Sequence, residues 1–292
     1  MQFNQIVKPD APIYMGIVNA TPDSFSDGGK FFSEDYNPVK AVDAALFLED
    51  SGAGIIDLGA ESTRPNAQPT PLDEELRRLE PILERLDGRL SIPLSVDTYK
   101  FQVAKSALER GAKIINDVTG GTDPAMREIW RQFQPGVVIM HHKVLLPDNS
   151  SVNPFPISEK SGVGSEELIN SSALRNSELR VPNSELNHAD SYYTDVVQEV
   201  WEELERRRDA AIKDGLPIEN IALDVGIGFG KTAKDNWTLI DNISEFHSLK
   251  CPLVVGVSRK RFLDYSDQKT AEVGKRLADN GVQILRVHAL PQ

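Results

Sequence analysis

The chain has 292 residues, of which 40 % are hydrophobic, 26 % charged and 7 % aromatic, a balance that excludes the disordered, collagen-like and membrane-embedded classes. Its 32 Lys and Arg stand against 44 Asp and Glu for a net charge of −12, which repels phosphate arrays on average and argues against nucleic acid or an anionic membrane as a partner. The start MQFNQIVKPD lacks a signal-peptide layout, no apolar run reaches membrane-spanning length and the single Cys251 cannot form an internal disulfide, so a cytoplasmic location with Cys251 in the core is expected.

Along the chain, short β-branched runs at 13–19, 54–59, 92–97, 112–117, 136–141, 220–225, 252–257 and 282–287 read as strands. Each is nearly continuous in apolar residues, as a strand covered on both faces requires. Helical periodicity lies between them: Leu72, Leu76, Leu79, Ile82, Leu83 and Leu86 share one stripe, and Val197, Val200, Trp201 and Leu204 another. The charged run Glu202, Glu203, Glu205, Arg206, Arg207 sets Glu202 and Glu203 four residues before an Arg each, and reads as a solvated helix face without function. Eight βα units predict an α/β fold, a (β/α)8 TIM barrel forming a single domain over 1–292. A doubly wound open sheet is the alternative, because strand count alone does not prove closure.

Two irregularities interrupt the pattern. A long irregular insertion after strand 5, residues 144–189, is rich in Ser, Asn and Pro, repeats NSEL at 176–179 and 183–186, and reads as a flexible spacer. No helix follows strand 8, where only Ala289, Leu290, Pro291 and Gln292 remain. The outer face of that strand is therefore expected to lie bare unless a second subunit or the insertion covers it, and a homodimer is the expected assembly.

In a barrel the C-terminal strand ends converge on one face. There the sequence places Asn19, the run Glu61-Ser62-Thr63-Arg64, Asp97, Asn116, His141, Asp224, Ser258-Arg259-Lys260, and Arg286 with His288. Any one of these could be a helix cap or turn former, but capping does not ask for Arg, Lys and His at the last two ends. Asp97, Asn116 and Asp224 suit paired hydrogen bonds to a flat nitrogen heterocycle of aminopyrimidine type. Arg64, Arg286, His288 and the Thr63 hydroxyl suit a phosphate or diphosphate, and the Asn19 carbonyl could ligate Mg2+, which keeps most of its waters. The stretch from Asn19 to Gly29, rich in turn formers around Phe25, reads as a lid. Residues 226–232 lack the spacing of a phosphate loop, and neither zinc-ligand spacing nor a nucleophile elbow occurs.

The segments MGIVNATPDSFSDGG (15–29), IDLGAESTRP (56–65), SVDT (95–98), IND (115–117), LDVGIGFGK (223–231), SRK (258–260) and RVH (286–288) stand in one order over most of the chain. In them the chain resembles the dihydropteroate synthases of the pterin-binding barrel family, and its TPDSFSD loop and SRK motif are more similar to the synthases than to the corrinoid-linked methyltransferases of the same barrel. The resemblance implies condensation of 6-hydroxymethyl-7,8-dihydropterin diphosphate with 4-aminobenzoate to 7,8-dihydropteroate and diphosphate, the C–O bond breaking first. It also implies that Asp97, Asn116, Asp224 and Lys260 hold the pterin, with Met140 and Phe229 packed near it. By the same resemblance Asn19 meets Mg2+, the one cofactor implied, and Thr63, Arg64, Arg286 and His288 meet the diphosphate. Phe25, Pro65 and Ser258 line the aminobenzoate pocket, with Asp23 and Asp27 on the lid; Lys260, Asp97, Arg64 and Asp27 are the residues it marks as catalytic. The chain departs from the family in having Val225 where Pro is usual after the pterin-binding Asp, Ala289 after the final His, and a short stretch between Lys260 and Arg286. The alternatives are a catalytically impaired pterin-binding homologue and a pterin-dependent methyltransferase.

Overall fold

Eight parallel strands lie where the β-branched runs predict them: β1 (Ile13–Asn19), β2 (Ile55–Gly59), β3 (Leu94–Asp97), β4 (Ile114–Asp117), β5 (Gly136–Met140), β6 (Ile221–Asp224), β7 (Leu253–Val255) and β8 (Ile284–Val287). The structure is a computed structural model and describes residues 1–8, 11–21, 37–61, 69–142, 144–145, 151–152 and 191–291. The strands close in the order β1-β8-β7-β6-β5-β4-β3-β2, with Ile13 opposite Ile284 at the seam. That seam excludes the open sheet. The seventh strand is shorter than predicted because the chain leaves the ladder for a turn in which Arg259 takes a left-handed φ of 55°.

Helices α1 (Pro38–Asp50), α2 (Leu72–Leu86), α3 (Phe101–Glu109), α4 (Pro124–Phe133), α5 (Val196–Lys213), α6 (Ala233–Asp241) and α7 (Asp267–Asp279) surround the barrel. Their starts follow from capping chemistry. Asn37 and Asp123 accept from Val39 N and Ala125 N just ahead of a helix-opening proline, and Thr232 with Asp235 forms a reciprocal capping box on α6. Outward-facing Leu58, Val96, Ile115, Ile139, Leu223 and Leu285 belong to the large apolar core that also takes in the buried helix stripes. Cys251 is part of it, as expected.

Strand alternation gives the barrel interior two different storeys. Met15, Ile55, Ile114, Val138, Ala222, Val254 and Ile284 form the lower one, together with Phe3, which is fully buried on a short 3-10 turn before β1. Phe3 thus stoppers the barrel floor. Phe3→Ala should destabilise the protein by about 3–5 kcal/mol, the range for deleting a buried aromatic ring, read as a lowered urea midpoint with an unchanged slope. Two residues further along the same strands, the upper storey holds Asp57, Asn116, Met140, Asp224 and Arg286.

Two expectations are corrected. The outer face of β8 is not bare: Leu285 and Val287 are buried, Gly274 of α7 lies under Leu285, and Leu290 packs against the main core. A second subunit is therefore not needed to cover it. The charged run on α5 is also not a solvated face throughout, because Arg207 is 4 % exposed and continues the buried stripe Val196, Val200, Leu204, Ala211. Its Nη1 donates to the carbonyls of Thr119 (2.8 Å) and Met140 (2.7 Å), and its Nε to Glu203 (2.7 Å).

Of the insertion, Val144–Leu145 pairs antiparallel with Ser151–Val152; the rest of 144–189 up to its end lies outside the described residues. On its far side Ser191 Oγ donates to Asp235 (2.6 Å), Tyr193 is buried, and Asp195 caps α5. After β8 the described residues 288–291 form no helix. Among the described residues no helix is long and apolar enough to cross a membrane.

Candidate active site

The upper storey opens at the C-terminal ends of the strands, and there Arg286 sits between two carboxylates. Its Nε donates to Asp57 Oδ2 (2.6 Å) and its Nη2 to Asp97 Oδ2 (2.5 Å), while Asn116 Nδ2 donates to the same Asp57 oxygen (3.0 Å). Against the opposing effect of burial, Asp57 and Asp97 hold Arg286 charged well above its usual range. Burial pushes the Asp97 carboxyl up to about 7 against the pull of Arg286, with Asp57, Glu75 and Asp117 adding to the push. Asp97 can therefore accept or donate near neutral pH.

Across the barrel, burial also raises Asp224, opposed by the bond from Gly226 N (2.7 Å) and by Lys260 and Arg286. The turn after it passes close to β5: a Cβ at Gly226, whose φ is +69°, would stand 1.9 Å from the His141 carbonyl oxygen. Phe229 comes next, its ring 4.5 Å below Lys260 Nζ and edge-on to the buried His142. Lys260 lies along Gly228, where a Cβ would meet its Cδ at 3.1 Å. At the last strand end the His288 Nδ1 and Ser258 Oγ are 3.0 Å apart. Burial, with Arg259, Arg286 and Lys260 nearby, lowers His288 to about 4, so its imidazole is neutral at pH 7.

The root of the loop after β2 is fastened from α2 and the start of α3. Arg78 donates to Ala60 O (3.0 Å) and Tyr99 to Glu61 (3.0 Å). The buried Lys100 bridges Glu61 and Glu75, and Glu75 accepts from Thr98 (2.8 Å).

Of the residues predicted for the site, Asp97, Asn116 and Arg286 meet in one network, Lys260 and Phe229 stack, Ser258 and His288 pair, and Met140 stands in register with Asp224. Asn19 shares its corner with Asp97: a Cβ at Gly59 would be 3.5 Å from Asp97 Cβ and 3.8 Å from Asn19 Oδ1. Asp23, Phe25, Asp27, Thr63, Arg64 and Pro65 lie outside the described residues. Sequence reasoning missed Asp57, Lys100, Arg207 and Lys231. Asp57 carried a signal, being a charge inside the apolar run IIDLG; Arg207 carried another, falling on an apolar helical stripe.

Several known proteins share this arrangement of chain. The chain is 35 % identical to dihydropteroate synthase of Bacillus subtilis, covering 98 % of this chain and 88 % of that one. It is 36 % identical to a probable bifunctional folylpolyglutamate synthase/dihydropteroate synthase of Haloferax volcanii, of which it spans 30 %. The solved structure of Xanthomonas albilineans dihydropteroate synthase with 4-aminobenzoic acid superposes with a TM-score of 0.74 at 33 % identity, over 96 % of this chain and 88 % of that one. The family model for pterin binding enzymes matches residues 15–288, nearly the whole span from β1 to the end of β8, and the chain belongs to that family.

Proposed function

We propose that the protein is a dihydropteroate synthase, condensing 6-hydroxymethyl-7,8-dihydropterin diphosphate with 4-aminobenzoate to give 7,8-dihydropteroate and diphosphate. The observation that carries this reading is the upper storey: Asp97, Asn116 and Asp224 converge around Arg286 above an apolar floor. A pterin presents a planar edge of ring nitrogens and an amino group, which carboxylates and an amide can answer with paired bonds. Phe229 and Met140 supply apolar surface for the ring, and Lys260, stacked on Phe229, supplies a cation at its edge. The synthase names of the relatives and the 4-aminobenzoic acid bound to the Xanthomonas enzyme support the second substrate.

The chemistry asks for stabilisation of a leaving diphosphate rather than for a strong base, because an arylamine is already neutral at pH 7. Arg286, His288 and Lys260 bring fixed donors to the side where that charge develops. The neutral His288, tied to Ser258 through Nδ1, keeps its other ring nitrogen for a phosphate oxygen. Thr63 and Arg64 join them in this reading, since they follow directly on the fastened root at Ala60 and Glu61. In this reading Ser258 serves the arylamine side, a role the family resemblance also assigns to Phe25 and Pro65. For magnesium, Asn19 fits as a lone neutral ligand: it makes no side-chain hydrogen bond to any described residue, and no acidic or histidine trio among the described residues competes for a metal. Bound there, the ion would neutralise charge on the diphosphate oxygens.

The test mixes the purified protein with both substrates and Mg2+ and follows diphosphate and dihydropteroate together. Equal amounts of both are expected, with turnover lost on chelation of the metal and reduced at least about 100-fold in Lys260→Ala, the scale for removing one electrostatic group from a reacting site. Pterin binding without product overturns the synthase reading.

A further inference from the structure

We infer that Lys231 is a positioning residue of the pterin pocket: its buried ammonium clasps the turn that carries Phe229 to the end of β5 through His141, and so fixes where Asp224 and Lys260 meet the substrate. The inference rests on the proposed pterin-diphosphate reading of that pocket. Lys231 has no exposed surface, so it cannot touch substrate and acts only through its neighbours. Its Nζ donates to Gly226 O (2.9 Å) and Phe229 O (3.1 Å), and lies 2.9 Å from His141 Nδ1. An ammonium has three donors and no acceptor, so all three are used and the His141 ring accepts at Nδ1.

These bonds close a ring. Asp224 Oδ1 accepts from Gly226 N (2.7 Å), Gly226 O accepts from Lys231, Lys231 donates to His141, and His141 N donates back to Asp224 O (2.8 Å). The turn itself is tight, with Phe229 N donating to Gly226 O (3.1 Å) and Gly228 N to Asn236 (2.8 Å). Lys260 rests on that turn through Gly228 and the Phe229 ring. The lysine thus helps tie the Asp224 carboxylate, the aromatic surface and the Lys260 cation to the neighbouring strand. Burial pushes it down to about 7 against the pull of Asp224 and Asp235.

Lys231→Met keeps the bulk of the chain and removes the donors; His141→Leu removes one acceptor from the other side; His141→Asn offers an amide Oδ1 in place of Nδ1. Calorimetric titration with 6-hydroxymethyl-7,8-dihydropterin diphosphate and Mg2+ should show Lys231→Met and His141→Leu binding about tenfold or more weakly, the loss expected from a buried charge-assisted hydrogen bond. The double variant should lose no more than Lys231→Met alone, since both break one ring, and His141→Asn should recover most of the affinity. KM for 4-aminobenzoate should stay within about threefold of wild type, because uniform effects on a single substrate appear in its own binding. A role in stability alone would lower the melting temperature and leave pterin affinity unchanged in the folded variants, and that result overturns the inference. If Lys231→Met does not fold, unchanged pterin affinity in His141→Leu overturns it equally. Failure of the wild-type protein to bind the pterin diphosphate is a separate outcome, which overturns the substrate reading and the inference with it.

Discussion

Asp57→Ala is expected to lower kcat/KM for the pterin diphosphate by about three orders of magnitude. Asp57 is fully buried, and a single one of its oxygens receives both Arg286 Nε and Asn116 Nδ2. Removing one partner of a buried ion pair leaves the other charge desolvated, at a cost of about 3–5 kcal/mol. At about 1.4 kcal/mol per factor of ten, that range sets the expected loss if it falls on the site's geometry. Arg286 would then be held by Asp97 alone and would swing toward it, and the Asn116 amide would lose its partner. Asp57→Asn keeps the shape and one acceptor oxygen, so its loss should be smaller. Steady-state kinetics on both variants decides the matter: an Asp57→Ala enzyme within about threefold of wild type would mean that Arg286 needs no second carboxylate.

Gly226→Ala should be comparably damaging for a different reason. The 1.9 Å separation between a new Cβ and the His141 carbonyl oxygen lies far inside contact distance, and the φ of +69° is strained for any side chain. Either the turn shifts or β5 does, and each carries half of the pocket. Overpacking costs about 1–3 kcal/mol and left-handed backbone about 1–2 kcal/mol more. Pterin affinity should fall by about two orders of magnitude or more, together with the unfolding midpoint. Gly88, which also has a positive φ but has nothing within 4 Å of its Cβ position, is the control: Gly88→Ala should carry only the backbone penalty and bind pterin normally.

Much of the barrel was legible because parallel strands buried on both faces leave a strong apolar signal, and because polar residues stand at or shortly past each strand end. Asn116 and Arg286 come together for a simple geometric reason, each standing two residues beyond the inward Ile114 or Ile284 of its strand, and Asp97 pairs in register with Asn116. What stayed hidden depends on distance along the chain. Phe3 belongs to no periodic element, so nothing local reveals that it stoppers the floor. Arg207 reads as one half of an ordinary i,i+4 pair, since that spacing is the same whether the helix face meets water or the carbonyls of Thr119 and Met140. Lys231 ends a glycine-rich stretch without phosphate-loop spacing, and the partner that explains it, His141, becomes a neighbour only when β5 and β6 pair. The bare outer face expected for β8 is covered because α7 reaches Leu285 from within the same chain.

The stretch between His142 and Ser191 leaves and rejoins the barrel at two fastened points. At one, His141 is bonded to Asp224 and Lys231; at the other, Ser191 is bonded to Asp235 and Asp195 caps α5. Arg207 clamps the end of β5 from α5 as well. Closing a loop between fixed ends depends only weakly on its length, each doubling adding about 0.6 kcal/mol. The position is therefore a natural grafting point, where segments of very different size and sequence can be exchanged among relatives, or spliced in by an experimenter as a tether or reporter, while the anchors hold the chemistry in place.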